Sequence, residues 1–576
     1  MSMKIESLDI INFRSIKKAT IRMHDITAIV GENNAGKTAV LRALNSVMNF
    51  KEEEENFANC RHRFAPRCNT HIKIVFTDIP PRFADKEVEG KLTIQFHYTY
   101  SNRKKQFTYL NFQNEEITLD DSFLTELKTE IIYVYIPADR TTKDTLWESD
   151  SIFQKLVSAY VAQHTENRDT ISTYVRRATE KIHSAALKNL EKEINNLYLQ
   201  NKSVDFKVNF PSDLDYTVLL SSVMLSMNEY GHNYLLQEWG SGTKSLAVIA
   251  MHRANALLNR ASIVLGIEEP EINLHPQGQK KFIMTLRDKR HQNETQSIFT
   301  THSTVLVDSL RHEEIILVRR KSDNRGFVSD ITQITDDFWQ RNGIEEFKHY
   351  QYFNYKNSDF FFAKFIIVGE SKNDCQVFEG LINPAIGNKT ADISYLDSGG
   401  VCNIQYPFFL LRELHIPFIM IVDKDFFFPY SNNNKLEDSR NAHTGLPTYS
   451  TTMNHNAVLD VLFSQPQVRQ EIEDANRKGY RAFFDKIKST GIVSMNYCLE
   501  MDLTCSSQAR SHYYQILHIE PANQNQPNLL VSKKNAIKRI EYIDQVLKSI
   551  PKNSLPESFK KIKNHIIDMI NSMVIA

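Results

Sequence analysis

No stretch of this sequence approaches the ~20 consecutive apolar residues that a membrane-spanning helix needs. Charged residues stand in Met1–Ile10, where a secretory leader requires an apolar core. The expectation is a soluble, cytoplasmic protein. Net charge is also missing: 69 Lys and Arg stand against 69 Asp and Glu. That balance excludes a protein that coats nucleic acid through bulk basicity, but not a local basic groove in a neutral whole. Cysteine is scarce, with Cys60, Cys68, Cys375, Cys402, Cys498 and Cys505 in no regular framework, so reduced thiols are expected. Cys60, His62, Cys68 and His71 are near enough in sequence to suggest zinc, yet their spacing fits no standard finger. Internal repeats and low-complexity tracts are absent as well.

What is present is a globular composition, 41% hydrophobic and 24% charged, spread over 576 residues. At roughly 100–200 residues per domain this predicts three to four units, or two large ones with insertions. Lys4–Ile11 and Lys18–Val30 read as strands, the second running into a glycine-containing loop, and Thr38–Met48 has helical spacing. His71–Phe76 and Leu92–Tyr100 alternate like strands of a flanking antiparallel sheet. From about Asp150 to Gln200, and above all in Thr170–Leu199, Arg, Glu, Lys, Leu and Ile interleave without Gly or Pro. This segment reads either as a helical arm for dimerisation or as a helical subdomain packed on its own chain. Ser262–Ile267 and Gln296–Thr300 are apolar strands with a helical pattern between them, a rhythm that implies a parallel sheet. Lys321–Ser358 reads as a connection, Phe365–Val368 opens a new α/β unit, Pro417–Val422 supplies its next strand, and Tyr430–Tyr449 reads as a surface loop.

Gly31-Glu-Asn33-Asn34-Ala-Gly36-Lys37-Thr38 satisfies the P-loop pattern between a strand and a helix. Its glycines let backbone N–H groups face phosphate oxygens, and the following helix presents its positive end. Lys37 is placed to reach the β- and γ-phosphates, and Thr38 to ligate Mg²⁺. The strand Ile263–Ile267 then runs into Glu268, Glu269, Pro270 and Glu271, the arrangement of a Walker B motif. Glu268 is expected in the Mg²⁺ shell, while Glu269 would orient or deprotonate the attacking water. His302 follows another strand and is placed to contact the γ-phosphate.

These features resemble ABC-type ATPases of the SMC and RecF kind. Asn12-Phe13-Arg14-Ser15 is similar to their N-terminal strand signature, Glu268–Glu271 with Leu274-His275-Pro276 to their Walker B and D-loop, and Thr300–Ser303 to their switch histidine. Gly240-Ser241-Gly242-Thr243-Lys244 lies where their signature motif belongs, and the resemblance implies that this motif closes on the ATP of a second protomer. Thr243 stands where a second glycine is usual, and Glu268 where an aspartate is usual. Both departures keep ATP binding and leave the hydrolysis rate open. Tyr135–Arg140 is the candidate region for a Q-loop.

The second half carries its own carboxylates. The strand Ile419–Val422 terminates in Asp423-Lys424-Asp425. Residues two apart on a strand share a face, so both acids would point together from the carboxyl end of a parallel strand, where open α/β sheets place their sites. Phe365–Val368 likewise ends at Gly369-Glu370, followed by Asp374, and Asp397-Ser-Gly399-Gly400 marks a further strand end and tight turn. Such oxygen ligands suit Mg²⁺ or Mn²⁺. The series resembles the Toprim domain, with Ser371 where a glycine usually follows the first acid. An ABC-type ATPase joined to a C-terminal Toprim resembles the OLD (overcoming lysogenization defect) nucleases, which include the nuclease subunit of Gabija antiphage systems. Asp359–Phe365 is similar to that family's domain junction.

The resemblance implies a later acidic motif at Glu500 and Asp502 and a late basic residue at Lys533 or Lys534. It also implies two-ion phosphodiester hydrolysis, with the ions about 3.5–4 Å apart. Glu370, Asp374, Asp423, Asp425 and Asp502 would hold them, and Lys533 would counter charge on phosphorus. The fold expected is α/β: an ABC ATPase lobe over 1–150, a helical insertion over 151–205, a second ATPase lobe over 206–345, and a Toprim domain with a C-terminal helical region over 346–576. Its partners would be ATP, Mg²⁺ or Mn²⁺, DNA, a second copy of the chain, and a second defence protein such as a helicase. An RNA nuclease that cuts tRNA and a non-catalytic, RecF-like DNA scaffold are the rival readings. Topoisomerases and primases share the Toprim domain but do not normally carry this ATPase.

Overall fold

The computed structural model describes residues 2–62, 68–140, 151–163, 168–197, 207–208, 210, 217–229, 231–235, 240–258, 262–288, 295–324, 326–353 and 358–573. By contacts the chain falls into two compact units, one of residues 1–29 and 36–306, the other of 30–35 and 307–576.

The first unit begins with an antiparallel sheet. β1 (Lys4–Phe13) pairs with β2 (Ile16–Arg22), and β3 (Ile26–Gly31) leads toward the P-loop. The expected single strand Lys18–Val30 is broken between β2 and β3. There His24 N–H donates to Thr27 Oγ1 at 2.9 Å and stabilises a turn. β4 (Thr70–Thr77), β5 (Leu92–Thr99), β6 (Lys104–Leu110) and β7 (Glu116–Thr118) extend this sheet in the order β2-β1-β4-β5-β6-β7. Strict alternation of buried and half-buried residues in β4 and β5 marks a sheet with one face in the core.

A second sheet of the unit carries β3 beside strands built from the later part of the sequence. β8 (Ile131–Ile136) precedes the helices Ile152–Gln163, Arg168–Ile182 and Lys188–Leu197, the last two joined by a π-helical turn at His183–Leu187. A small hairpin, β9 (Ser226–Glu229) and β10 (His232–Leu235), comes before the helix Ser241–Leu258. β11 (Ser262–Glu268) and β12 (Thr295–Thr301) flank the helix Pro276–Leu286, and β11 pairs in parallel with both β12 and β8. Their neighbour order within the unit is β3-β12-β11-β8. The near-continuous burial of β3, β11 and β12 is what a parallel sheet covered on both faces requires. Gln296 is buried at a seam between the sheets: its Nε2 donates to Ile5 O at 2.8 Å and its Oε1 accepts from Ile5 N–H at 3.0 Å.

In the second unit, β13 (Ile315–Asp323) and β14 (Gly326–Thr332) form an antiparallel hairpin. Lys321–Ser358 is therefore not a plain connection; it holds this hairpin's second strand and the helix Glu346–Phe353. Beyond it, β15 (Phe365–Gly369), β16 (Ile393–Asp397), β17 (Phe418–Val422) and β18 (Ile492–Ser494) build a parallel sheet in the order β16-β15-β17-β18. Helices Lys372–Ile386 and Glu557–Met573 pack on it through a large apolar core that includes Phe378, Phe559, Ile367 and Ile421. β15 and β17 are neighbours, so both of their carboxyl ends open on one edge of the sheet.

Candidate nucleotide and metal sites

The P-loop turns on two left-handed residues, Asn34 with φ of 60° and Gly36 with φ of 109°. Asn33 and Asn34 are exposed at its tip. Gly36 is the N-cap of the helix Lys37–Met48, and that helix has neither a side-chain cap nor an acid in its first turn. No first-turn carboxylate therefore offsets the partial positive charge of this helix end, which favours phosphate oxygens. Lys37 is buried and Thr38 half-buried at this end.

Walker B residues lie at the end of β11. Glu268 accepts from the Tyr135 hydroxyl at 2.7 Å and from the Ala138 amide at 3.2 Å. The segment read as a Q-loop candidate thus contacts the first Walker acid directly. Arg140 donates from one guanidinium nitrogen to the Glu268 carbonyl and from another to Ser245 Oγ, the latter at 2.6 Å. Glu269 has a positive φ of 42°, and its Oε1 lies 3.7 Å from His302 Nε2. Burial and the charge of Lys37 lower the pKa of His302, opposed by Glu269, so these three side chains share one electrostatic neighbourhood. Glu271 accepts from Thr301 Oγ1 at 2.9 Å and from the His302 amide at 2.7 Å, which fixes the histidine's backbone. Gly242 backs onto the loop after Walker B, where a Cβ would come within 2.4 Å of the Asn273 carbonyl oxygen. Ser241 opens the helix that carries this contact.

The second site lies at the ends of β15 and β17. Ligand oxygens of Glu370, Asp423 and Asp425 all come within 4.8 Å of one another. Their convergence does not arise from strand alternation as expected. β17 ends at Val422, Asp423 is the N-cap of the helix Lys424–Phe427, and Asp425 lies in that helix's first turn. Lys424, between them, turns inward: its ammonium lies 4.5 Å from the Phe483 ring centroid and donates to Asn476 Oδ1 at 2.6 Å. Burial lowers its pKa to about 8. Glu370 is held by the Asp423 amide, which donates to its Oε2 at 3.0 Å. Before it, Gly369 leaves no room for a side chain, since a Cβ would meet Cys375 Sγ at 2.8 Å. Asp374 and Ser371 form a capping box, in which Asp374 Oδ2 accepts from the Ser371 amide at 2.8 Å and its hydroxyl at 2.6 Å.

The acids of the cluster repel one another. Burial lifts Glu370 to about 7, with Asp425, Asp374 and Glu500 adding to it against the Asp423 amide. Burial lifts Asp374 to about 6, and Asp423 is driven well up by burial and by its four acidic neighbours. Asp425 Oδ1 is buried with no hydrogen-bond partner among the described residues. An all-oxygen donor set with mutually repelling charges and an orphaned oxygen fits a hard divalent ion.

Two expected members are placed differently. Glu500 faces the cluster, whereas Asp502 accepts from the Asn496 and Tyr497 amides at 2.9 and 3.0 Å and so braces a loop. Both belong to the helix Leu499–Cys505, where positions two apart point to opposite sides. Lys533 is exposed, and Lys534 pairs with Glu437 at 2.6 Å. Among the described residues Lys538 pairs with one of the acids, its Nζ 3.2 Å from Glu500 Oε1. Burial opposes its charge, but Glu500 and Asp423 outweigh that and raise its pKa. Nothing in the order of Lys533, Lys534 and Lys538 distinguishes the third. The zinc reading of residues 60–71 finds no support among the described residues: Cys60 is buried, the His62 ring contacts the Arg14 carbonyl at 2.7 Å, and His71 pairs with His97 at 2.5 Å.

Among the described residues, no helix is long and apolar enough to cross a membrane. Residues 26–308 match the AAA-domain family described with the AbiEii toxin of type IV toxin–antitoxin systems. Residues 361–425 match the Toprim domain of proteins like the overcoming lysogenization defect protein. The chain is 24% identical over 456 residues to the OLD nuclease of Thermus scotoductus, covering 73% of this chain and 82% of the relative. It is 19% identical over 427 residues to the Old nuclease of Escherichia phage P2, covering 68% and 71%. The head of an Smc protein, solved bound to the C-terminal winged-helix domain of ScpA, superposes with a TM-score of 0.38 at 15% identity, over 57% of this chain and 98% of that one.

Proposed function

We propose that this chain, which matches an AAA-type ATPase and an OLD-like Toprim domain and is similar to OLD nucleases over most of its length, is an ATP-regulated, divalent-metal-dependent DNA endonuclease of antiphage defence. The observation that carries the reading is the meeting of Glu370, Asp423 and Asp425 around one buried, unpartnered carboxylate oxygen. Those three residues would hold Mg²⁺ or Mn²⁺, with Asp374 and Glu500 beside them for a second ion. When bound, such ions supply Lewis acidity at the phosphodiester and a water of lowered pKa.

The protein's own contributions are positional and electrostatic. The Asp423 amide holds Glu370, the Ser371 box holds Asp374, and the Lys538 ammonium beside Glu500 would offset negative charge gathering on the phosphate. In the ATPase, Asn33, Asn34, Gly36, Lys37 and Thr38 would seat the phosphates, Glu268 would lie in the Mg²⁺ shell, Glu269 would orient water, and His302 would sense the γ-phosphate. Ser241 and Gly242 would engage the nucleotide of a second protomer. A homodimer is supported by Ile171, Tyr174, Ile182, Leu190 and Ile194, large apolar residues left exposed along the helical insertion 151–205. The proposed limits remain 1–150 and 206–345 for the ATPase lobes and 346–576 for the Toprim half.

Supercoiled plasmid incubated with Mg²⁺ or Mn²⁺ across ATP concentrations tests this directly, with total RNA as a parallel substrate. Cutting of plasmid by the wild type and none by Asp423→Ala is expected. Undiminished plasmid cutting by Asp423→Ala removes the site from consideration, and cleavage of RNA alone replaces DNA as the substrate.

A further inference from the structure

We propose that Tyr430 is a positioning residue of the metal site: its hydroxyl engages one oxygen of Asp425 and so directs the other toward the cation. The inference rests on reading Glu370, Asp423 and Asp425 as a divalent-cation site. Asp425 belongs to a helix of four residues, Lys424–Phe427, too short to hold a side chain in one direction through its own packing. Two contacts from outside do so. Asn454 Nδ2 donates to the Asp425 carbonyl at 2.6 Å and fixes the backbone. The Tyr430 hydroxyl donates to Asp425 Oδ2 at 3.2 Å, while Oδ1 stays buried without a hydrogen-bond partner among the described residues. The terminal torsion of an aspartate is broad and two-fold, so a carboxylate without such a contact presents either oxygen in turn.

Tyr430 is itself braced. Its amide donates to Asn434 Oδ1 at 3.1 Å, and its ring stacks on Tyr449 at 5.2 Å with an interplanar angle of 25°. Ser431 N–H donates to Thr448 O at 3.1 Å and Ser450 N–H to Pro429 O at 2.8 Å, which closes the base of the loop. Farther along, Glu437 pairs with Lys534 at 2.6 Å and with Arg440 at 2.9 Å. Gly445 seats against Pro527, where a Cβ would lie only 2.9 Å from its Cα. The hydroxyl is therefore delivered by a loop tied at both ends, and Lys534 serves that loop rather than the acids. Were the tyrosine pair only packing, the hydroxyl would be dispensable and the ring would suffice.

Full-length Tyr430→Phe keeps the ring and removes only the hydroxyl; Tyr449→Phe is its control. Calorimetric titration with Mn²⁺ alone, without nucleic acid, is the primary measurement. Outer-shell partners of metal ligands typically carry about 10–100-fold in affinity. Tyr430→Phe is expected to weaken Mn²⁺ binding about ten-fold and to raise the Mn²⁺ needed for half-maximal cutting equally. KM for DNA and the metal-free thermal midpoint should not move, and Tyr449→Phe should titrate like the wild type. A Tyr430→Phe titration that overlays the wild type overturns the inference while leaving the cation site standing. If the wild type itself takes up no Mn²⁺, the cation-site reading and this inference fall together.

Discussion

Lys538 and Asp502 carry the lesson at the scale of single residues. Asp423 and Glu370 were legible because each follows an apolar run that can only be a buried strand, and parallel strands end at sites. Lys538 was not, because three lysines stand within a few positions and only the fold brings one of them to Glu500. Lys538→Ala should reduce cleavage about 10²–10³-fold, the usual cost of losing one charge stabiliser. Lys533→Ala should stay within about two-fold, since among the described residues the ion pair to Glu500 is made by Lys538 instead; single-turnover cleavage rates decide both. The acids also predict a pH dependence. Glu370 and Asp374 are lifted to about 7 and about 6, so near neutrality the metal-free native state holds protons that the unfolded chain has already released. Metal-free stability therefore falls as pH rises from the ordinary carboxylate range through about 7. A cation must displace those protons, so Mn²⁺ affinity should climb between about pH 6 and pH 8 with measurable proton release. Thermal midpoints with and without Mn²⁺ at the two pH values check the sign; a Mn²⁺-induced shift larger at the lower pH would contradict it.

Between elements, a histidine pair predicts the opposite slope. His312, in a turn before β13, and His349, on the helix Glu346–Phe353, meet at 2.8 Å from Nδ1 to Nε2. One nitrogen must donate and the other accept, so the two rings cannot both be protonated. Burial holds His312 down to about 3, and burial with the neighbouring histidine holds His349 down to about 2. The unfolded chain binds protons below its ordinary histidine pKa of about 6.5, so stability is fully present above that value and is lost as pH falls through it. The pair's own contribution to the thermal midpoint of the second unit should therefore shrink between about pH 7 and pH 5, opposite in sign to that of the acids, and the difference between wild type and His349→Phe isolates it. Sequence periodicity could not reveal this pair, because two histidines separated by a hairpin carry no pattern. Element existence was easier to read. The parallel strands announced themselves by unbroken apolar runs, whereas β14 was hidden in Gly326–Thr332, where polar residues interrupt the apolar ones and burial alternates only weakly.

Across the whole molecule, two constellations occupy one chain, and each should be separable by substitution. Lys37→Ala should abolish ATP-induced thermal stabilisation and keep the Mn²⁺-induced shift, while Asp423→Ala should do the reverse. Regulation adds a sharper expectation: cleavage by the wild type should change with ATP concentration and that of Lys37→Ala should not. Equal responses in both proteins would uncouple nucleotide from cutting. The overall plan was legible because each motif lay in its required strand–loop–helix setting.

Lys424 has a consequence for anyone who would transplant this chemistry. The residue between the two aspartates is a peg driven into the interior, gripped by Phe428, Phe483 and Asn476. Copying Asp-Lys-Asp to the end of a foreign strand would carry the ligands without their socket, and the acids would splay. The unit of inheritance is the peg together with its hole.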